Sequence, residues 1–504
     1  MQVSSVSYDV AGARWSTRFP AGDSPRTLVT VFGSSQMTDH PEVFVELARA
    51  YPRSLIVGCS SAGEIQGTQV RDGSLAVTIT RFDRTELALA WSEVPGAGDS
   101  ERIGGELAQR LVAQGGLRAA LILGDSPAVN GAGFARGVGR TLGDAVTVTG
   151  GLAADGSARG RTWLTVGGAL KRGIAVAVGF YGPNVVVGHG VSADWLPQRA
   201  GWLITRGEGD RVYELDDQPA IEVYRAALAD RGDELPEVAS WFPLAVGAAG
   251  DAPVVRTVVG LDHQAGALVL AGEVSAGQTA VLLTADLEDL IGGGVQAAVG
   301  ATKTGAPRSI DCLALAISCF GRRKLLGSWS GEEIVAVRDG LHAERTTVTG
   351  FYGYGQIAAA PAGPAALHNQ TLSLTVFSEA RPAEAARVAE RAVPPPVPVG
   401  YAVRTVLYDL RAGTWSAPLP ELDSPRTLVL VFGAPELVDR RAPLDALRAR
   451  YPASVILGCS TAGEIHDQAV HDRTVAVSIV RFARTELRLA VERIADPGDG
   501  AAVG

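Results

Sequence analysis

The last hundred residues of this 504-residue chain restate its first hundred at an offset of 400, without a gap. Tyr8 recurs as Tyr408, Trp15 as Trp415, and the run Asp23 to Leu28 (Asp-Ser-Pro-Arg-Thr-Leu) as Asp423 to Leu428. Gly58-Cys59-Ser60 returns as Gly458-Cys459-Ser460, and about half of the first ninety positions are identical between the copies. Duplication on this scale requires a modular fold. The length also exceeds what one core supports, so two to four domains are expected.

A shorter repeat lies inside the longer one. Residues 27–33 read as a buried strand, 41–50 as a helix with Val43, Phe44, Leu47 and Ala48 on one face, and 55–57 as a strand entering a Gly-rich loop at 58–65; strands follow near 74–81 and 84–91. The order returns from residue 119, with a strand at 120–124, a helix over 134–142, a strand at 146–149, a Gly-rich loop at 150–156 and strands at 173–180 and 184–188. It returns again at 312–377, where Ser330 and Glu333 predict a capping box opening a helix, and the strand 346–349 enters a third Gly-rich loop at 350–357. Gly58, Gly63, Glu64 and Ile65 then align with Gly350, Gly355, Gln356 and Ile357. The fold class is α/β (mixed α+β), with repeated strand–helix–strand–strand modules forming helix-covered mixed sheets. Residues 200–310 break the pattern with a short helix from about Ala220 to Leu228, several strands and a Gly-rich helix near 288–300. A helix from Pro382 to Ala392 and the prolines 394–398 predict a semi-rigid linker before the repeated module at 401–504.

Composition narrows the function classes. A net charge of −9 argues against a general nucleic-acid binder. No uninterrupted apolar run reaches 18 residues, so no transmembrane helix and no membrane role are expected. Residues 1–6 lack the basic and apolar regions of a signal peptide. The four cysteines form no Cys-x-x-Cys pair, which suits a reducing compartment, and a cytoplasmic location is expected. The arginine-rich, lysine-poor basic set reads as the signature of a GC-rich bacterial genome.

Residues 26–90, with Val31-Phe32-Gly33 and the run Gly58 to Ile65, resemble the N-terminal half of a FIST domain. The runs Val212 to Asp216, Gly321 to Arg323, Gly350 to Ile357 and His368 to Thr371 resemble its C-terminal half. The resemblance implies a FIST N-like domain at 1–200 (modules at about 20–95 and 117–190), a FIST C-like domain at 201–380, a linker at 381–400 and a partial second N-like module at 401–504. It further implies an intracellular sensory domain that binds a small, amino-acid-like ligand and signals to an output protein such as a histidine kinase, cyclase or chemoreceptor. Some members are haem-binding nitric-oxide sensors. The half-module at the end is either part of a longer tandem or a functional unit, and a homo-oligomer through residues 401–504 is one expectation.

The Gly-rich loops are the first candidates for chemistry, because each follows a buried strand and exposes backbone N–H groups. Ser60, Glu64 and Asp155 supply polar groups there; Tyr352, Tyr354 and Gln356 supply rings, hydroxyls and an amide. Arg322, in a basic run with Arg323 and Lys324, offers bidentate recognition of a carboxylate, and His368 and Asn369 precede the last strand. For each, a packing or turn role stands as the alternative. Cys59 reads as a small core residue, since its surroundings offer Glu64 but no histidine base. No metal-ligand spacing occurs, so neither metal nor cofactor is expected, with haem on His368 as the alternative. No nucleophile–base order stands out, so a ligand binder is expected, with an assembly scaffold or an enzyme of unknown reaction as alternatives.

Overall fold

Thr27–Ser34 carries no charge and is buried at seven of its eight positions, a pattern that a strand covered on both faces tolerates. It runs parallel to Leu55–Ser61 and antiparallel to Ser74–Arg81. The helix Pro41–Ala50 links the parallel pair, starts on a proline that lacks the orphan N–H, and stops before Pro52. Its buried Val43, Phe44 and Leu47 cover one sheet face. A computed structural model supplies these elements; it describes residues 1–126, 128–156, 160–198, 201–248, 253–303, 311–341, 345–360, 363–380, 401–461, 464–466, 469–482 and 487–489. The helix and prolines expected at 382–398 lie outside the described residues.

Two further modules repeat this plan. The second pairs Leu117–Gly124 with Thr147–Leu152 in parallel and with Ile174–Tyr181 antiparallel. The third does the same with Cys312–Cys319, Thr346–Gly353 and Leu372–Glu379. The first glycine of each run expected as a loop (Gly58, Gly150, Gly350) lies within the second strand of its parallel pair. A Cβ on Gly58, Gly150 or Gly350 would stand 1.7, 1.8 or 1.7 Å from the carbonyl oxygen of Val31, Ile122 or Ala316 in the adjacent strand. These glycines therefore admit a neighbouring backbone, and the chain leaves the sheet only after them.

The modules exchange hairpins in a cycle. After its second strand, the first module's hairpin (Glu64–Gln66, Gln69–Arg71) pairs with Thr346–Gly353 of the third. The third module's hairpin (Gln356–Ala360, Gly363–His368) pairs with Thr147–Leu152 of the second. The second module's hairpin (Leu164–Val166, Ala169–Lys171) pairs with Leu55–Ser61 of the first. Strands after the modules extend the exchange: Glu86–Glu93 joins the second sheet and Val185–Ser192 the third. The inner faces of the three sheets share one core, in which Phe32 stacks on Phe351 at 4.7 Å and Phe180 on Phe377 at 4.5 Å. Helices cover the outer faces. A nine-stranded sheet over 196–284, with its own core, is inserted between the second and third modules. The third module thus belongs with the first two although about 120 residues separate it from them.

The capping box expected at Ser330 does not form. Ser330 Oγ donates to the Gly327 carbonyl at 2.7 Å, and the fully buried Glu333 turns inward to Arg322 instead. A buried cation draws the carboxylate more strongly than a solvated N-terminus does.

Residues 391–504 form a second unit. Its sheet runs Thr414–Trp415, Tyr401–Asp409, Thr474–Phe482, Thr427–Gly433, Val455–Ser460, and the helix Ala442–Arg450 places Leu447 in a core with Val429, Val431 and Ile479. Among the described residues of both units, no helix is long and apolar enough to cross a membrane.

Candidate functional site

The hairpin exchange draws the three strand ends together, and six backbone hydrogen bonds join them in a ring. Ser60, Leu152 and Tyr352 donate to the carbonyls of Trp163, Gly355 and Gly63 at 2.8, 3.0 and 3.0 Å. Ala62, Ala154 and Tyr354 donate to the carbonyls of Tyr352, Ser60 and Leu152 at 2.9, 3.0 and 3.2 Å. Each kind of bond occurs three times, once per module, so the ring has threefold pseudo-symmetry in backbone while its side chains differ.

A cavity of about 390 Å³ opens beside this ring. The first module lines it with Ser34, Ser35 and Gln36 from the end of its first strand, with Ser61 and Glu64, and with Asp72 from the turn after its hairpin. The second contributes Asp155, Gly156 and Arg161, the third Phe320 and Arg323. An adjoining cavity of about 500 Å³ shares Gly156 and Phe320, adds Tyr354 and Lys324, and is capped by Ser240, Thr257 and Val258 of the inserted domain.

Charges of both signs meet there. Arg323 holds Asp72 through two bonds of 2.8 and 2.7 Å and donates to the Ala62 carbonyl. Arg161 donates to Thr38 and Asp39 at 2.7 and 2.6 Å. Asp155 accepts from the Tyr354 hydroxyl at 2.6 Å and from the Arg161 backbone N–H at 2.9 Å. Glu64, 2% exposed, accepts from Ser61 Oγ at 2.5 Å and from the Ser74 hydroxyl and N–H at 2.8 and 3.2 Å. Burial outweighs these bonds and pushes its carboxyl up to about 7.

That shift fixes a pH dependence. The folded protein favours the protonated Glu64, so its contribution to stability is complete below the unfolded value of 4.5 and is lost as pH rises to about 7. The loss amounts to about 3 kcal/mol. In Glu64→Gln the difference from wild type in urea-unfolding free energy should therefore change by that order between pH 4.5 and 8. A difference that stays flat across this range would contradict the buried, protonated carboxyl.

Of the residues expected to bind ligand, Glu64, Asp155 and Tyr354 come together around the two cavities. The others do not line them. Ser60 is fully buried and accepts from the Trp163 N–H at 3.1 Å. Arg322 and Tyr352 serve a buried cluster instead. The Arg322 guanidinium bonds Glu333 at 2.7 and 2.8 Å and the carbonyls of Ala193 and Leu290, while the Tyr352 hydroxyl donates to Glu333 at 2.8 Å. Gln356 accepts from Thr371 at 3.0 Å within the core. His368 is 8% exposed with Nε2 3.3 Å from the Ala358 carbonyl, a placement that does not suit an axial haem ligand. Asn369 is buried beside Gly355. Cys59 lies in the shared core, where burial drives its thiol well above the usual range.

Sequence patterns gave no sign of Ser34, Gln36, Asp72 or Arg161, and pointed to Arg323 only as a neighbour of Arg322 in the basic run 322–324. The rule that open α/β sheets bind at strand ends, applied to the first strand, would have found Ser34 and Gln36. Asp72, Arg161 and Arg323 reach the cavity only through the exchanged hairpins and one helix.

Residues 27–218 and 427–503 match the FIST N domain model, and residues 220–359 match the FIST C domain model. No curated protein matches. Among solved structures, a crystal structure of cyanuic acid hydrolase from A. caulinodans is 11% identical, covers 79% of this chain and 100% of its own, and gives a TM-score of 0.23, a likeness too low to bear on fold or chemistry.

Proposed function

The chain belongs to the FIST family, whose domains are generally sensory domains of signal-transduction proteins, and on that premise we propose that the cavity beside the backbone ring is its ligand site. The ligand is a small zwitterion of amino-acid type. One observation carries this reading: three modules converge on a single cavity that presents Arg161 and Arg323 together with Glu64, Asp72 and Asp155. A guanidinium meets a carboxylate through paired N–H donors, and the buried Asp155 carboxylate meets an ammonium. The volume falls within the range of small-molecule sites. Tyr354, bonded to Asp155, stands between this cavity and the inserted domain, so occupancy at one end reaches the other. The signal passes to a separate output protein.

Differential scanning fluorimetry with a panel of α-amino acids, and the matching N-acetyl amides as uncharged controls, tests the assignment. A fitting amino acid present at a hundred times its Kd should stabilise the native state by about 2.7 kcal/mol. Its N-acetyl amide should not, and Arg323→Ala should abolish the shift. Equal shifts from the charged and blocked forms, or none from any amino acid, would sink the zwitterion reading.

A further inference from the structure

The two adjoining cavities differ in chemistry. The first is lined by serines, Gln36, carboxylates and two guanidinium groups. The second, of about 500 Å³, is walled by Pro236, Val258, Val259 and Ala271 of the inserted domain and by the rings of Phe320 and Tyr354 of the third module. Its charged lining residues among the described ones are Glu237 and Lys324, one of each sign and both exposed. Together they give no net attraction for a charged group. The Lys324 ammonium lies over the Phe320 ring, 5.0 Å from its centroid. A charge taken out of water would find no opposite charge on the apolar walls, whereas apolar surface gains by entering.

The cavities meet at Gly156 and Phe320, which line both. Gly156, at φ +71°, brings no side chain into the junction. The Phe320 and Tyr354 rings meet edge to face at 5.8 Å, and the Tyr354 hydroxyl donates to Asp155 at 2.6 Å. Tyr354 thus turns its hydroxyl to the first cavity and its ring to the second. Asp155 precedes the junction glycine, so it is the carboxylate of the first cavity that reaches the passage.

Polar contacts hold the inserted domain's wall in place. The Gln370 amide donates to the Ser240 carbonyl at 2.7 Å, the Arg256 guanidinium to the Leu367 carbonyl at 3.1 Å, and Glu273 accepts from Arg136 and Asn130 of the second module at 2.7 and 3.2 Å. A wall fixed in this way needs little ordering to receive a guest.

We propose that the second cavity receives the side chain of the ligand, and that the ligand is an α-amino acid with a large apolar side chain. The inference rests on the zwitterion reading of the first cavity. The ammonium sits at Asp155 and the carboxylate meets the guanidinium groups across the first cavity. The side chain then crosses Gly156 and lies between Val258 and Val259 on the one hand and the rings of Phe320 and Tyr354 on the other.

Isothermal titration calorimetry on the full chain with L-phenylalanine, L-alanine and L-glutamate tests this, the weaker ligands being read by competition against phenylalanine. Phenylalanine should bind about tenfold or more tighter than alanine, with a more negative heat-capacity change, and glutamate should bind no better than alanine. Val259 is 59% exposed and lies outside its domain's core, so Val259→Asp preserves the fold. It should weaken phenylalanine by about fivefold or more and leave alanine unchanged. Equal affinities for alanine and phenylalanine, tighter binding of glutamate, or a Val259→Asp variant that weakens both apolar ligands alike or neither would overturn the proposal and leave the zwitterion site standing. If none of the three amino acids binds, the zwitterion reading fails first and takes this inference with it.

Discussion

Arg322→Ala should destabilise the first unit by about 3–5 kcal/mol, the cost of leaving one member of a buried ion pair without the other. Arg322 and Glu333 are both 0% exposed. Their removal from water is compensated because every group finds a partner. The guanidinium bonds Glu333 and two carbonyls, and Glu333 also accepts from Ser318 Oγ at 3.0 Å and from Tyr352 at 2.8 Å. Truncation strands a carboxylate beside two hydroxyls in the core and leaves the Ala193 and Leu290 carbonyls without their donor. The midpoint of urea unfolding should fall accordingly. In the double variant Arg322→Met, Glu333→Gln, much of the loss should return, because no buried charge remains. A cost below about 1 kcal/mol for Arg322→Ala would place the pair in water, against its burial.

Phe32→Ala and Phe432→Ala should differ sharply although they make the same change at the same place in two copies. Phe32 is fully enclosed and stacked on Phe351, so its truncation should cost about 3–5 kcal/mol through lost transfer energy and a cavity. Phe432 is 38% exposed, and in the monomer its loss should cost no more than about 1 kcal/mol. The two units can be followed separately by native-state hydrogen exchange. Equal costs would contradict the exposure of Phe432.

The modules were legible because their evidence is local. Alternating and continuous apolar runs, an apolar helix face and a glycine run recur within about seventy residues, and the duplication showed which spacing was structural. The role of the glycines was harder to read. A glycine that turns the chain and one that admits a neighbouring carbonyl look alike until the neighbour is in place, and for Gly350 that neighbour is Ala316.

The candidate site was legible in part for the same reason. Glu64, Asp155 and Tyr354 lie on or just past strand ends, where the backbone ring gathers them. The basic run 322–324 was visible, but not which arginine serves the cavity. Successive residues on a helix point about 100° apart, so Arg322 enters the core and Arg323 faces the cavity. Glu64 and Gln356 hold the same place in their hairpins, as alignment suggested, yet one meets the cavity and the other meets Thr371.

Order, type and number of modules thus follow from the amino-acid sequence alone, because strand and helix periodicities and their connecting turns are set by neighbours along the chain. The cyclic hairpin exchange, the backbone ring and the mixture of charges in one cavity were decided only by tertiary structure. Pairings such as Gln66 with Thr349 join residues far apart in the chain, and such contacts become favourable only once three inner faces have closed on a common core.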